Sequence, residues 1–219
     1  MLGREVNLVR ALPRTKRNIR AREDARDPEV VRISKQFGEM YFDGPRSYGY
    51  GGYKYDGRWV PVAHDIIEHF DLKPGMRVLD AGCAKGFLVK DLRDACLGLE
   101  VIGLEISQYA IESAHPDAKD YLIQGSIEKM PFDQPFDAVL CLDTVHNLPR
   151  ARAITALQEI QRLSEGRAYV RVDSFNTPEQ KAIFESWVLT AEFYGYPDEW
   201  LALFDEAGYS GDYSWTIIE

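Results

Sequence analysis

From Arg77 onward the chain alternates short runs of apolar, often β-branched residues with stretches whose apolar positions recur every three or four residues. Runs of the first kind read as strands, and stretches of the second kind as amphipathic helices. Strands are expected at Arg77–Ala81, from Leu99 to Glu105, in a segment ending at Gly125-Ser126-Ile127, from Phe136 to Leu142, in a segment ending at Asp173, and from Tyr209 to Ile218. Ser107 is placed to cap a helix that stops before Pro116, Thr177 to cap one running to about Glu192, and Gly208 to end one that starts at Pro197. Strands that alternate with helices imply a mostly parallel sheet covered on both faces. Ahead of it, Pro28 to Phe42 has helical spacing throughout, and so does Val60 to Leu72.

Between those two helical stretches lies Asp43 to Trp59, which holds five glycines together with Tyr48, Tyr50, Tyr53, Tyr55 and Trp59. So much glycine does not make a stable helix or central strand, and so many aromatic rings do not make a solvated linker. An ordered loop that covers something is expected: a lid over a binding site, with Tyr50, Tyr53, Arg58 and Trp59 toward a substrate, or a packing loop beneath the N-terminal helix.

The chemistry centres on Arg77 to Leu92, a buried strand, a glycine turn and a helix start in succession. Ligands of open α/β sheets bind at the carboxyl ends of strands, where this turn must lie. It is not the dinucleotide fingerprint, because Ala84 and Phe87 occupy the second and third glycine places counted from Gly82. Glu105 ends the next strand 23 residues after Gly82. A carboxylate so placed can accept hydrogen bonds from both hydroxyls of a ribose.

The pattern Asp80-Ala81-Gly82-Cys83-Ala84-Lys85-Gly86 resembles the first motif of the class I S-adenosylmethionine-dependent methyltransferases, and the resemblance extends in order and spacing from about Leu72 to Val172. It implies a Rossmann-like, doubly wound sheet with an antiparallel edge strand and S-adenosyl-L-methionine as cofactor. It also implies contacts from Asp80, Gly82, Cys83, Ala84, Gly86, Glu105 and Ile106. The adenine is expected near Ser126 and Ile127, with Ser126 standing where the family commonly has an aspartate. The resemblance places Asp143 and His146, after the fourth strand, on the acceptor side. His146 is the candidate general base, because a neutral imidazole can take a proton at physiological pH. Asp143 and Asp173 depart from the pattern of the metal-dependent catechol-type enzymes, since Ser174 follows Asp173, and no metal is expected.

A chain of 219 residues with 45% hydrophobic residues can bury one sizeable core. The expected organisation is a basic arm over 1–26, a helical and Tyr/Gly-rich lid segment over 27–71, and a methyltransferase core over 72–219. The net charge of −9 argues against nucleic acid as a substrate. The arm runs the other way, with eight Lys or Arg, Arg4 to Arg26, against three acids. It reads as mobile or loosely docked, with a homodimer contact or an anionic-substrate contact as alternatives. Three scattered cysteines without metal spacing, together with the absence of a signal-like or spanning apolar segment, suggest a cytoplasmic protein that does not enter the membrane. The expected activity is methyl transfer to oxygen or nitrogen of a polar small molecule, such as a sugar derivative or natural-product intermediate. A macromolecular methyltransferase using the arm, and a non-catalytic cofactor-binding protein, are the alternatives.

Overall fold

The computed structural model describes residues 2–13 and 18–218. Six strands form one sheet: β1 (Arg77–Ala81), β2 (Glu100–Glu105), β3 (Leu122–Gln124), β4 (Ala138–Leu142), β5 (Ala168–Ser174) and β6 (Asp212–Ile217). Their order is β3-β2-β1-β4-β5-β6, and every pairing is parallel. Ten helices accompany them among the described residues. Before the sheet come α1 (Ile19–Asp24), α2 (Pro28–Ser34), α3 (Glu39–Phe42) and α4 (Val60–Phe70); within it come α5 (Phe87–Ala95), α6 (Gln108–Glu112), α7 (Pro116–Lys119), α8 (Arg150–Ser164), α9 (Pro178–Trp187) and α10 (Pro197–Ala207).

Successive strand residues feed opposite faces, as the two-residue period of a strand requires. Val78 and Leu140 pack with Ile66, Val89 and Leu92 beneath α4 and α5. Leu79, Val139 and Cys141 pack with Leu157, Ile160 and Trp200 beneath α8 and α10. The expected cappers are in place: Ser107 accepts from Ala110 N–H, and Thr177 from Gln180 N–H.

Three expectations need correction. The antiparallel edge strand is absent among the described residues. α10 carries the chain back across the sheet before β6, and a helical crossover returns a strand parallel to its neighbour. The helix read across Pro28 to Phe42 is broken into α2 and α3. Phe37 between them takes φ +49°, and its carbonyl accepts the Ser107 hydroxyl. The arm is firmly docked over residues 2–13: Val6 N–H donates to Tyr213 O at 2.9 Å and Tyr213 N–H to Arg4 O at 3.1 Å, along the outer side of β6. Leu8 and Val9 are buried there, although Arg14, Lys16 and Arg17 of the arm lie outside the described residues. Among the described residues no helix is long and apolar enough to cross a membrane.

Candidate active site

At the carboxyl end of β1 the chain turns through Gly82, whose φ is +92° and on which a Cβ would sit 2.2 Å from Thr144 Oγ1. Only glycine fits, because both the backbone conformation and the space exclude a side chain. The constraint is Thr144, and not ligand space alone. Ala84 follows with φ +51°, a left-handed conformation that costs an L-residue roughly 1–3 kcal/mol. Its N–H donates to Glu105 Oε2 at 2.8 Å, while Ser107 N–H donates to Oε1 at 2.8 Å. The glycine turn and the end of β2 are thereby locked together by one carboxylate.

Around this carboxylate lies a cavity of ≈ 130 Å³ lined by Gly82, Ala84, Glu105, Ile106, Ser126 and Ile127, with Phe42 and Tyr50 of the N-terminal segment closing it. Asp80, Cys83 and Gly86 do not line it. Asp80 is buried behind the turn, the Cys83 side chain lies in the core beneath α4 and α5, and Gly86 is pressed against Ala118 and Leu122. Burial, and then repulsion from Glu105, raise the Asp80 carboxyl to about 7; burial also raises Glu105, against the pull of its backbone donors. Burial pushes the Cys83 thiol well upward as well, so it stays protonated and carries no nucleophilic chemistry. No cation among the described residues is paired with Asp80 or Glu105.

At the expected adenine end, Ser126 Oγ accepts from Glu128 N–H at 3.2 Å and lies 3.3 Å from Glu128 Oε2. Glu128, two residues later, lines the same cavity with a carboxylate that Arg152 holds below its usual range.

A second, larger cavity of ≈ 480 Å³ adjoins the first, and Tyr41, Tyr50 and Asp143 line both. Tyr53, Arg58, Trp59, Asp143 and His146 all border this chamber, so the structure brings the expected acceptor-side residues together. Burial pushes the Tyr41 hydroxyl up to about 12 and raises those of Tyr50 and Tyr53 as well, so all three remain neutral donors. The glycine-rich loop is ordered by stacking of Tyr50 on Phe42 and of Tyr53 on Phe87. It is tied down where Asp43 meets Lys85 and Tyr109, and where Tyr55 donates to Asp91. Arg58 is forked onto Asp56, 2.6 Å away, so its charge is already compensated within the loop.

His146 sits in a 3₁₀ turn, Val145–Asn147, behind β4 and is almost fully buried. Asp173 N–H donates to its Nδ1 at 3.0 Å, so the neutral ring carries its proton on Nε2, and Nε2 lies 3.3 Å from Asp173 Oδ2. Both ring nitrogens are engaged with Asp173. The candidate base expected from the sequence is part of a His–Asp pair. Asp143 adopts φ +53° at the junction of the cavities, accepts from Thr216 Oγ1 at 2.7 Å and stands 3.4 Å from Arg171 Nε. Backbone outliers of this kind collect at functional sites. Tyr41, Thr144, Glu128, Arg171 and Arg22 were not legible as site residues. Arg22 in particular sits in the basic arm, for which an anionic-substrate contact is only an alternative to a mobile or loosely docked segment.

A methyltransferase-domain family model matches residues 72–208. The chain belongs to that family. With its parallel sheet, glycine turn and strand-end Glu105, it is a class I S-adenosylmethionine-dependent methyltransferase domain. The domain is 28% identical to a botryococcene C-methyltransferase of Botryococcus braunii over 64% of this chain and 41% of the other, and 31% identical to a sterol 24-C-methyltransferase of Gibberella zeae over 51% and 31%. It is 27% identical to a ubiquinone biosynthesis O-methyltransferase of Rickettsia felis over 40% and 37%. The chain therefore spans less than half the length of each of these relatives. In structure it resembles the magnesium protoporphyrin IX methyltransferase of Synechocystis, with a TM-score of 0.54 and 19% identity over 84% of this chain and 90% of that one, a likeness of fold alone.

Proposed function

We propose that this methyltransferase domain transfers a methyl group from S-adenosylmethionine to oxygen or nitrogen of a polar small molecule. One observation carries the reading: two cavities share Tyr41, Tyr50 and Asp143, one built around the glycine turn and Glu105, the other lined by arginines, His146 and acids. The relatives act on acceptors that include sterols, but charged groups along a chamber are costly to desolvate against a hydrocarbon. A sugar derivative or natural-product intermediate with hydroxyl or amino groups suits such walls better.

The residues fit the cofactor. Glu105 keeps further lone pairs beyond the Ala84 and Ser107 donors for ribose hydroxyls, and two buried acids without a paired cation among the described residues form an environment that favours positive charge. When bound, the cofactor supplies an electrophilic methyl group on sulfonium. The protein's own work is then positioning, which alone lowers barriers by several kcal/mol, and proton management. Asp173 is the proton acceptor in this reading, held by the Nε2–H of His146, while Asp143 and the neutral hydroxyls of Tyr41 and Tyr50 orient the acceptor at the junction.

Incubating the chain with methyl-labelled cofactor and a panel of hydroxyl- and amine-bearing polar molecules tests this, with a sterol and a linear isoprenoid alongside. Label should appear on oxygen or nitrogen of a polar acceptor. Transfer to the isoprenoids alone, or binding of cofactor with no turnover on any acceptor, would refute it.

A further inference from the structure

The acceptor chamber has one wall that the methyl-transfer reading leaves unused. Arg22 of α1 is 94% buried, being only 6% exposed, yet it lines the chamber. It donates to Ser47 O at 3.4 Å and to Gly49 O at 3.0 Å, which occupies two of the five N–H groups of a guanidinium. Its flat face lies over the Trp187 ring of α9, with Cζ 4.4 Å from the centroid, and Arg46 lies over the same ring at 5.1 Å. No carboxylate among the described residues is bonded to Arg22. Asp143, the acid at the junction of the cavities, is engaged by Thr216 and Arg171.

Burial of an arginine without a carboxylate is expensive, and two like charges on one indole compound it. The strain registers on Arg22 itself, whose guanidinium is drawn down to about 10 by burial first and by Arg46 second. Such an arrangement persists when an anion completes it. With one face covered by indole, an anion must approach in the guanidinium plane, the geometry in which carboxylate and phosphate oxygens pair with arginine side by side.

We propose that Arg22, Arg46 and Trp187 form an anion subsite of the acceptor chamber, and that the acceptor carries a carboxylate or phosphate in addition to the oxygen or nitrogen that is methylated. This rests on reading the chamber as the acceptor site. It also gives the N-terminal segment a task, since α1 brings a specificity-determining cation to a chamber whose other walls come from the glycine-rich loop, the ends of the later strands and α9.

The test is calorimetric melting of the full chain with benzoate, with benzamide as its uncharged counterpart of the same shape, and with inorganic phosphate, each with and without S-adenosylhomocysteine. Benzoate or phosphate should raise the melting temperature saturably and benzamide should not; the stronger of the two anions identifies the group read. Arg22→Met should weaken the anion roughly ten- to a hundredfold, and Arg22→Lys should recover part of the loss. An unchanged response of Arg22→Met to S-adenosylhomocysteine shows that its fold and cofactor cavity are intact. If neither anion stabilises a wild-type protein that S-adenosylhomocysteine does stabilise, or if Arg22→Met keeps full anion affinity, the subsite does not exist. Retained anion binding with no response to S-adenosylhomocysteine would leave the subsite standing and sink the cofactor reading instead.

Discussion

The two cavities meet at Tyr41, Tyr50 and Asp143 but are assembled by opposite strategies. The smaller is built chiefly from consecutive strand ends: the turn after β1, the end of β2, the segment after β3 and the start of the loop after β4. Its shape is enforced by backbone geometry and by one carboxylate. The larger collects Pro13 and Arg22 from before the sheet, Tyr53 and Trp59 from the glycine-rich loop, Trp187 from α9 and Thr216 from β6. On the proposed reading, the constant ligand, the cofactor, is served by local, strained backbone, whereas the variable one, the acceptor, is served by side chains delivered from far apart in the chain.

Breaking the backbone side should have the largest effect. Gly82→Val places atoms on Thr144 and forces a β-branched residue to φ +92°, so strain and overlap together should cost about 3 kcal/mol or more of stability. Denaturant unfolding within 1 kcal/mol of wild type would mean that the turn is not rigid and the contrast between the cavities is misdrawn. On the acceptor side the loss should be kinetic. Asp173→Asn should lower the methyl-transfer rate about 10²-fold, and His146→Ala nearly as much, with S-adenosylhomocysteine affinity unchanged in both. Because His146 touches Asp173 with both ring nitrogens, the two losses should not add, and a double variant much slower than either single one would show separate roles.

Glu105→Ala tests the hinge of the smaller cavity. It strands the N–H groups of Ala84 and Ser107 and removes the ribose acceptor, so calorimetric titration should show S-adenosylmethionine affinity reduced about ten- to a hundredfold. Unchanged affinity would detach Glu105 from the cofactor. Asp80 gives the same cavity a pH signature. Its folded value of about 7 lies above the ordinary 3.8, so the folded ligand-free protein binds the extra proton, and stability from this group falls as pH rises from about 4 through 7. Asp80→Asn should therefore gain on the order of 1–3 kcal/mol over wild type at pH 8 and nothing at pH 4. A gain that does not vary with pH would show that packing, and not charge, is responsible.

What was legible follows the same division. Strand runs, the Ser107 and Thr177 caps and the Gly82-to-Glu105 spacing are signals within about 25 residues, and they land where expected apart from β3, which ends at Gln124, ahead of the expected Gly125-Ser126-Ile127. α8 lies in a stretch where no helix had been read, and the break at Phe37 depends on a hydroxyl 70 residues away that accepts no sequence signature. The roles of Arg22 and Arg58 were exchanged. Arg58 sits in the conspicuous loop but is neutralised by Asp56, whereas Arg22, in an arm expected to be mobile or loosely docked, is buried by α9. Docking of the arm on β6 was hidden for the same reason, since its partner Tyr213 is some 200 residues distant.

The smallest effect is expected at Ala84, and it sharpens the contrast most finely. If backbone geometry rather than side-chain chemistry defines the smaller cavity, this left-handed residue holds strain that a glycine would not. Ala84→Gly relieves roughly 1–3 kcal/mol of strain but adds about 0.5–1 kcal/mol of unfolded-state entropy, leaving a net gain of up to about 1–2 kcal/mol. Its N–H still reaches Glu105 Oε2, so cofactor affinity should stay within about threefold of wild type, as no charge-assisted contact is lost. Ala84→Val, with the same N–H but a β-branched side chain at φ +51°, should move stability the opposite way. Thermal melts of the two variants decide it: a glycine variant that melts below wild type would show that Ala84 is held by its methyl packing, and that the turn is relaxed where it is argued to be strained.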